Sequence, residues 1–269
     1  MTLSIITINY NNLEGLQRTI DSVISQTWHD FEWIIIDGGS TDGSKELIED
    51  TANKLAASDF NPLSYWCSEP DKGVYNAMNK GIKHSNGEYV NFMNSGDYFA
   101  DNKTLQKVFE IKRTTDILYG YMRLENSHGK RLNMHNMKPN LNWYDIYYEN
   151  FGHQSMFTRL DTLIQHGGFD ETYKFVADWK LNILALVYGE ATYEFLPLDI
   201  SIYEGGGIST EFGKELDRLH KDLFPQMGFN TSIEILNEYA LVNEYKFTQL
   251  LYRVARKMAK VYKKYISHD

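Results

Sequence analysis

Leu3-Ser-Ile-Ile-Thr-Ile-Asn-Tyr-Asn-Asn12 and Phe31-Glu-Trp-Ile-Ile-Ile-Asp-Gly-Gly-Ser-Thr-Asp-Gly-Ser44 share one pattern: a short apolar run without alternation that stops at a polar cluster. A strand buried on both faces of a parallel sheet reads this way. Between the two runs, Leu13, Leu16, Ile20, Val23 and Ile24 recur at helical spacing. Working outward, the same alternation predicts a helix over Ser44–Leu55, a strand over Ser64–Cys67, a helix over Gly73–His84 and a strand over Tyr89–Met93. Strands alternating with helices imply an α/β protein with an open parallel sheet covered on both sides, whose ligands bind beyond the carboxyl ends of the strands.

Each of these strands ends in a polar cluster: Asn9-Tyr10-Asn11, Asp37-Gly38-Gly39, Ser68-Glu69-Pro70-Asp71-Lys72-Gly73 and Asn94-Ser95-Gly96-Asp97. Any one of them alone reads as a solvated turn. Four on the same edge of one sheet read as a site.

After Tyr98 the pattern predicts a helix at Thr104–Phe109 and a strand at Asp116–Leu124, then a hairpin or loop at Gly129–Met137. Gly152-His153-Gln154-Ser155-Met156-Phe157 reads as a strand with polar residues at its start. A turn follows at Gly167-Gly168-Phe169-Asp170, and Ala177–Tyr188 reads as a helix. Gly205-Gly206-Gly207 precedes a final helical region.

Composition narrows the classes. The 269 residues are 42% hydrophobic and 23% charged, which fits a globular chain of one large domain or a domain with an appendage. One cysteine, Cys67, offers neither an internal disulfide nor a zinc site. A net charge of −9 argues against a nucleic-acid binder. No basic residue precedes the first apolar run, so no signal or transit peptide is expected. No apolar stretch approaches the roughly 20 residues of a membrane span. A cytoplasmic protein is the expectation.

Neither G-x-G-x-x-G after the first strand nor G-x-x-x-x-G-K-[ST] occurs, which disfavours dehydrogenase and P-loop readings. The strand ends offer carboxylates at Asp37, Asp71 and Asp97, amides, and an aromatic ring at Tyr10. Those groups suit a nucleotide diphosphate bound with Mg²⁺ or Mn²⁺.

Ser4–Asn11, Asp37–Ser44, Glu69-Pro-Asp-Lys-Gly-Val-Tyr-Asn-Ala-Met-Asn-Lys-Gly81, Gly87–Val90 and Asn94–Asp97 resemble, in order and spacing, the successive motifs of family 2 glycosyltransferases. The resemblance is strong from Leu3 to about Phe99 and weaker to about Ser209. It implies a GT-A fold, a Rossmann-like and mostly parallel sheet flanked by helices. The implied glycosyltransferase domain covers residues 1–210, with a nucleotide-binding half at 1–99 and an acceptor-binding half at 100–210. Residues 211–269 would form a C-terminal helical extension.

The activity implied is inverting transfer from a nucleotide sugar, usually a UDP-sugar, to an acceptor hydroxyl in polysaccharide biosynthesis. Ile8, Tyr10 and Asp37 would hold the base, with Asp71 and Lys72 near the nucleotide. Asp97 matches the metal-coordinating position, and Asp178, in Val176-Ala-Asp-Trp-Lys-Leu181, matches the general base. Asn94, Gly96, His153 and Trp179 are candidate donor or acceptor contacts. Two positions depart from the family pattern: Asn94 and Gly96 stand where further acids are frequent, and Ala177 stands where an acid often precedes the base. From position alone Asp178 equally fits a helix-dipole partner, and His153 a hydrogen-bonded structural residue. Trp143, Tyr144, Tyr147 and Tyr148 fit either acceptor stacking or packing.

From Tyr245 to Asp269 seven basic residues and one acid give +6, against −15 for the rest. Phe247, Leu250, Leu251, Val254, Met258, Val261, Tyr262 and Tyr265 fall on one side of a helix there, opposite the charges. Such a basic amphipathic helix suits an anionic cytoplasmic leaflet and a lipid-linked acceptor, with the protein peripheral on the inner face of the membrane. It also suits packing on the acidic body or on a second subunit in a homodimer. Two other classes share parts of the pattern. A sugar-nucleotide nucleotidyltransferase needs a glycine-rich basic loop after the first strand, which Asn9–Asn12 does not supply. A non-catalytic nucleotide- or carbohydrate-binding module has no use for both a metal-type and a base-type aspartate.

Overall fold

The computed structural model describes residues 1–125, 131–132, 138–141, 145–146, 151–204 and 212–223. The chain divides into two compact units, Met1–Asn140 with Asn150–Phe212, and Leu141–Glu149 with Gly213–Asp269. In the second unit the principal described element is most of helix α7 (Phe212–Leu223). The basic stretch at Tyr245–Asp269 and the aromatics at 143, 144, 147 and 148 lie outside the described residues.

The first unit opens with β1 (Leu3–Asn9), α1 (Leu13–Ile24), β2 (Phe31–Asp37), α2 (Ser44–Ala56), β3 (Leu63–Ser68), α3 (Val74–His84) and β4 (Tyr89–Phe92). β5 (Tyr98–Phe99), α4 (Thr104–Phe109), β6 (Ile117–Glu125), β7 (Arg131–Leu132), β8 (Met156–Arg159), α5 (Leu160–Gln165), α6 (Ala177–Ile183) and β9 (Tyr193–Glu204) follow. The sheet order is β3-β2-β1-β4-β8-β6-β9-β5, with β7 on β6. β3, β2, β1 and β4 run parallel, with Leu3 opposite both Phe31 and Tyr89 and Asn9 opposite Asp37, so the two opening segments end level. β8 then adds antiparallel to β4, and β9 is parallel to β6 but antiparallel to β5. The parallel character therefore belongs to the first four strands.

Every residue of β1 and β2 is buried, which explains why neither strand alternates. Leu3, Ile5, Trp33 and Ile35 share one core with Leu16, Ile20 and Val23 of α1 and Ile48 and Leu55 of α2. Each such side chain contributes about 1.5–3 kcal/mol by leaving water. The Trp33 indole N–H donates to Thr7 Oγ1 at 3.0 Å, so the largest core ring leaves no polar atom unpaired. On the opposite face α3 lies close to β1: a Cβ at Gly81 would fall 2.4 Å from Ile6 Cγ2.

Later elements follow less regular rules. The expected strand at Gly152–Phe157 begins instead as a 3₁₀ turn over His153–Ser155. Fully buried Asn91 of β4 donates to the carbonyls of Gln154 (3.2 Å) and Met156 (2.8 Å), taking acceptors a strand neighbour would use. The expected helix at Ala177–Tyr188 is α6 continued by a π turn, Leu184–Tyr188. In β9, Pro197 coincides with a register shift against β6, where Tyr119 faces Phe195 and Tyr121 faces Asp199. A bulge accommodates a residue with no N–H for the ladder. No helix among the described residues is long and apolar enough to cross a membrane.

Candidate active site

A cleft of about 710 Å³ opens where the four parallel strands end. All four polar clusters line it: Tyr10 and Asn12, Gly38 and Gly39, Pro70 and Asp71, Asn94 and Ser95. The volume is that of a pocket for a nucleotide-sized ligand. Ile8 forms part of the wall, and the Tyr10 ring is 67% exposed, available for stacking. At Gly38 a Cβ would lie 2.7 Å from Asp71 Oδ2 and 3.1 Å from the Tyr10 ring, so only glycine lets these three groups converge. Asp71 Oδ1 accepts from the Gly73 N–H at 2.8 Å, which fixes the carboxylate on the rim. Lys72 is exposed and stands outside the lining of the cleft.

Asp37 has a different place from the one its position at a strand end promised. It is fully buried, and its carboxylate accepts from Asn9 Nδ2 (2.8 Å), Ser68 Oγ (2.6 Å), Ser40 Oγ (2.5 Å) and the Ser40 N–H (2.9 Å). Burial alone would raise its pKa; the bonds from Ser40, Ser68 and Asn9 outweigh it and hold the carboxyl below its usual value. Asp37 therefore ties β1, β2, β3 and the following turn together, and its oxygens are spent on the protein rather than on a ligand.

The fourth cluster is clamped from α1. Asn12 caps that helix by accepting from the Gly15 N–H (3.2 Å) and donates to Ser95 O (3.0 Å). Thr19 Oγ1 donates to Asp97 O (2.7 Å) and accepts from the Gly96 N–H (3.1 Å). Gly96 has φ +100°, a conformation strained for an aspartate, so the departure from acid to glycine goes with this turn. Asp97 is 6% exposed, and burial pushes its pKa up to about 7, with His153 acting the other way.

His153 connects the cleft wall to Asp178. Its Nε2 lies 2.8 Å from Asn94 Nδ2 and its Nδ1 3.4 Å from Asp178 Oδ2. Burial works to lower the imidazole pKa, but the Asp178 and Asp97 carboxylates prevail and raise it. Asp178, 6% exposed, lies in the first turn of α6 and accepts at Oδ1 from Tyr75 Oη and from the Trp179 N–H, both at 2.9 Å. A cavity of about 20 Å³, roomy enough for one water, adjoins His153, Asp178 and Asn182. Trp179 corrects its expected role as a donor or acceptor contact. One residue along the helix turns it away from Asp178, and it is 2% exposed, stacked on Phe212 at 6.1 Å.

Among the described residues no group of three or more His, Cys, Asp or Glu side chains could hold a metal ion. Asp97 and the buried Asn94 Oδ1, which has no hydrogen-bond partner, are hard oxygen donors. Oxygens of this kind suit Mg²⁺ or Mn²⁺; Asn94 lines the cleft, whereas Asp97 lies behind its lining. Sequence reasoning missed Tyr75 and the Asn9–Ser40–Ser68 cradle of Asp37. Tyr75 lay inside the Glu69–Gly81 motif, but nothing local to it points at residue 178.

The fold is that of the GT-A glycosyltransferases. The chain belongs to glycosyl transferase family 2, whose model matches residues 4–169. An uncharacterized glycosyltransferase of Mycobacterium tuberculosis is 41% identical over 110 residues, 40% of this chain and 39% of the relative. A PGL/p-HBAD biosynthesis glycosyltransferase of Mycobacterium bovis is 27% identical over 217 residues, 77% of this chain and 78% of the relative. Among solved structures, Staphylococcus aureus TarS superposes with a TM-score of 0.65 at 20% identity, covering 89% of this chain and 44% of that one. A mannosyltransferase from Pyrobaculum calidifontis in complex with GDP-Man and Mn²⁺ gives 0.57 at 15% identity, covering 98% and 82%. The match thus spans under half the length of TarS and of the Mycobacterium tuberculosis relative, and about three quarters of the Mycobacterium bovis one.

Proposed function

We propose that this chain transfers a sugar, with inversion, from a nucleotide sugar to an acceptor hydroxyl, the donor being a UDP-sugar. The observation that carries the reading is the connection Asn94–His153–Asp178, which leads from the wall of a nucleotide-sized cleft to a buried carboxylate through contacts of 2.8 and 3.4 Å. Tyr10 stacks on the base, with Ile8 beside it and Asp71 at the rim; Lys72 meets the phosphates from outside the wall. Asp97, with Asn94, would hold a divalent cation, Mg²⁺ or Mn²⁺. When bound, that cation neutralises charge on the departing nucleotide. Asp178 takes the proton from the acceptor hydroxyl as its oxygen bonds to the anomeric carbon and the bond to the diphosphate oxygen breaks. His153, its pKa raised by the two carboxylates, places a cationic ring beside Asp178.

The mycobacterial relative's name places it in PGL/p-HBAD biosynthesis, and TarS has been solved in complex with UDP and with UDP-GlcNAc. The TarS complexes support a nucleotide-sugar donor for this chain; the acceptor in this reading is a lipid-linked glycan. In this reading residues 1–99 bind the nucleotide and 100–210 the acceptor. Residues 211–269 extend the domain toward an anionic membrane surface or a second copy. The experiment is UDP, GDP or CDP release from a panel of nucleotide sugars with and without Mn²⁺, on wild type and Asp178→Asn. Metal-dependent release of UDP from at least one donor, lost in the variant, is expected. Release from no donor, or release indifferent to Asp178→Asn, would sink the mechanism.

A further inference from the structure

Tyr75 stands in the motif whose neighbours form the cleft rim, yet it is 5% exposed and turned into the protein. Its ring stacks on Phe169 at 5.4 Å, and Phe169 packs edge-on against Phe92 of β4 at 5.0 Å. This fixes the phenol at the start of α6. There Tyr75 Oη donates to Asp178 Oδ1 at 2.9 Å, across 103 positions of sequence. The backbone N–H groups of Ala177 and Asp178 act on the same phenol oxygen. The N-cap residue of α6 is Val176, whose side chain cannot cap, so a tyrosine from α3 supplies what a serine or aspartate ordinarily would.

We propose that Tyr75 is the positioning residue of Asp178: it fixes the plane of the carboxylate and occupies Oδ1 together with the Trp179 N–H, so that Oδ2, beside His153 Nδ1 at 3.4 Å, is the oxygen that takes the acceptor proton. The phenol remains a donor throughout, because burial and the adjacent Asp178 charge raise its pKa above the ordinary tyrosine value. A hydrogen bond to the ionised form also lowers the proton affinity of the carboxyl, which keeps it ready to accept. The inference rests on the reading of Asp178 as the base.

The test is the carboxyl ¹³C titration of Asp178 in the full chain labelled with ¹³C-aspartate, its resonance identified by its loss in Asp178→Asn. Tyr75→Phe keeps the ring and removes only the donor. The expected result is a titration midpoint raised by about one pH unit, a tenfold gain in proton affinity, with calorimetric UDP–Mn²⁺ affinity within about twofold of wild type. A purely packing role predicts no movement of the midpoint, and that result would overturn the proposal. Should Tyr75→Phe not fold, 3,5-difluorotyrosine at position 75, a stronger donor of nearly the same shape, should move the midpoint down; no movement again overturns it. A shifted midpoint in a protein that binds no nucleotide would uphold the contact and sink the reaction instead.

Discussion

From Leu3 to Phe92 four strands run parallel and each is followed by a polar turn on the cleft, whereas from Ile117 to Glu204 strands of uneven length mix directions and the candidate functional groups sit in short elements between them. In the first region the sheet rule alone places Tyr10, Asp71 and Asn94, because the carboxyl end of a buried parallel strand is the one place its polar residues can gather. In the second, His153 sits in a 3₁₀ turn and Asp178 in a seven-residue helix, each held by partners from the first region, Asn94 and Tyr75. The cleft wall thus follows from the order of the parallel strands, whereas the proposed base depends on side-chain contacts to a distant part of the chain.

Substitutions on the two sides should separate accordingly. The largest effect is expected from Asp178→Asn, a loss of turnover on the order of 10²–10⁴-fold with UDP affinity unchanged by calorimetry; a parallel loss of affinity would erase the distinction between the regions. Next comes backbone packing in the parallel half. A Cβ at Gly87 would lie 2.5 Å from the Leu3 and Ser4 backbone, so Gly87→Ala should cost about 1–3 kcal/mol in chemical denaturation. Ala at Gly167, with nothing within 4 Å but φ +78°, should cost about 1–2 kcal/mol through backbone strain alone. Tyr10→Ala should weaken UDP binding by about 1 kcal/mol and leave stability untouched, since the ring is exposed.

The smallest effect concerns acid stability. Glu32 is buried; desolvation opposes its ionisation, but bonds from Ser4 Oγ (2.7 Å) and the Asn86 N–H (2.5 Å) hold its pKa below the ordinary glutamate value. A depressed folded pKa gives stability that is full above the unfolded pKa and is lost as pH falls through the folded one. Glu32→Gln should therefore flatten the acid limb of the stability profile, by about 1 kcal/mol or less. An acid limb identical to wild type would mean that Glu32 contributes nothing there.

The same contrast governs what the sequence disclosed. Helix α1 and the β1 and β2 segments were legible because an uninterrupted apolar run or a clean helical period has one reading. The 12-residue β9 was not anticipated, although Leu196, Leu198, Ile200 and Ile202 fall at every second position, because Pro197 reads as a breaker unless the register shift opposite Tyr119–Tyr121 is known. Asp37 was expected at the ligand because it ends a strand, and its burial among Asn9, Ser40 and Ser68 depends on side-chain geometry that periodicity does not carry. Tyr75 illustrates the same limit from the other side, a motif residue whose partner lies 103 positions away.

The most direct test of the account is calorimetric titration of UDP with and without Mn²⁺ into wild type and Asp97→Ala. Metal-dependent UDP binding that is lost in the variant is the predicted result. UDP binding that ignores both the metal and Asp97, or no binding of UDP, GDP or CDP under any condition, would contradict it.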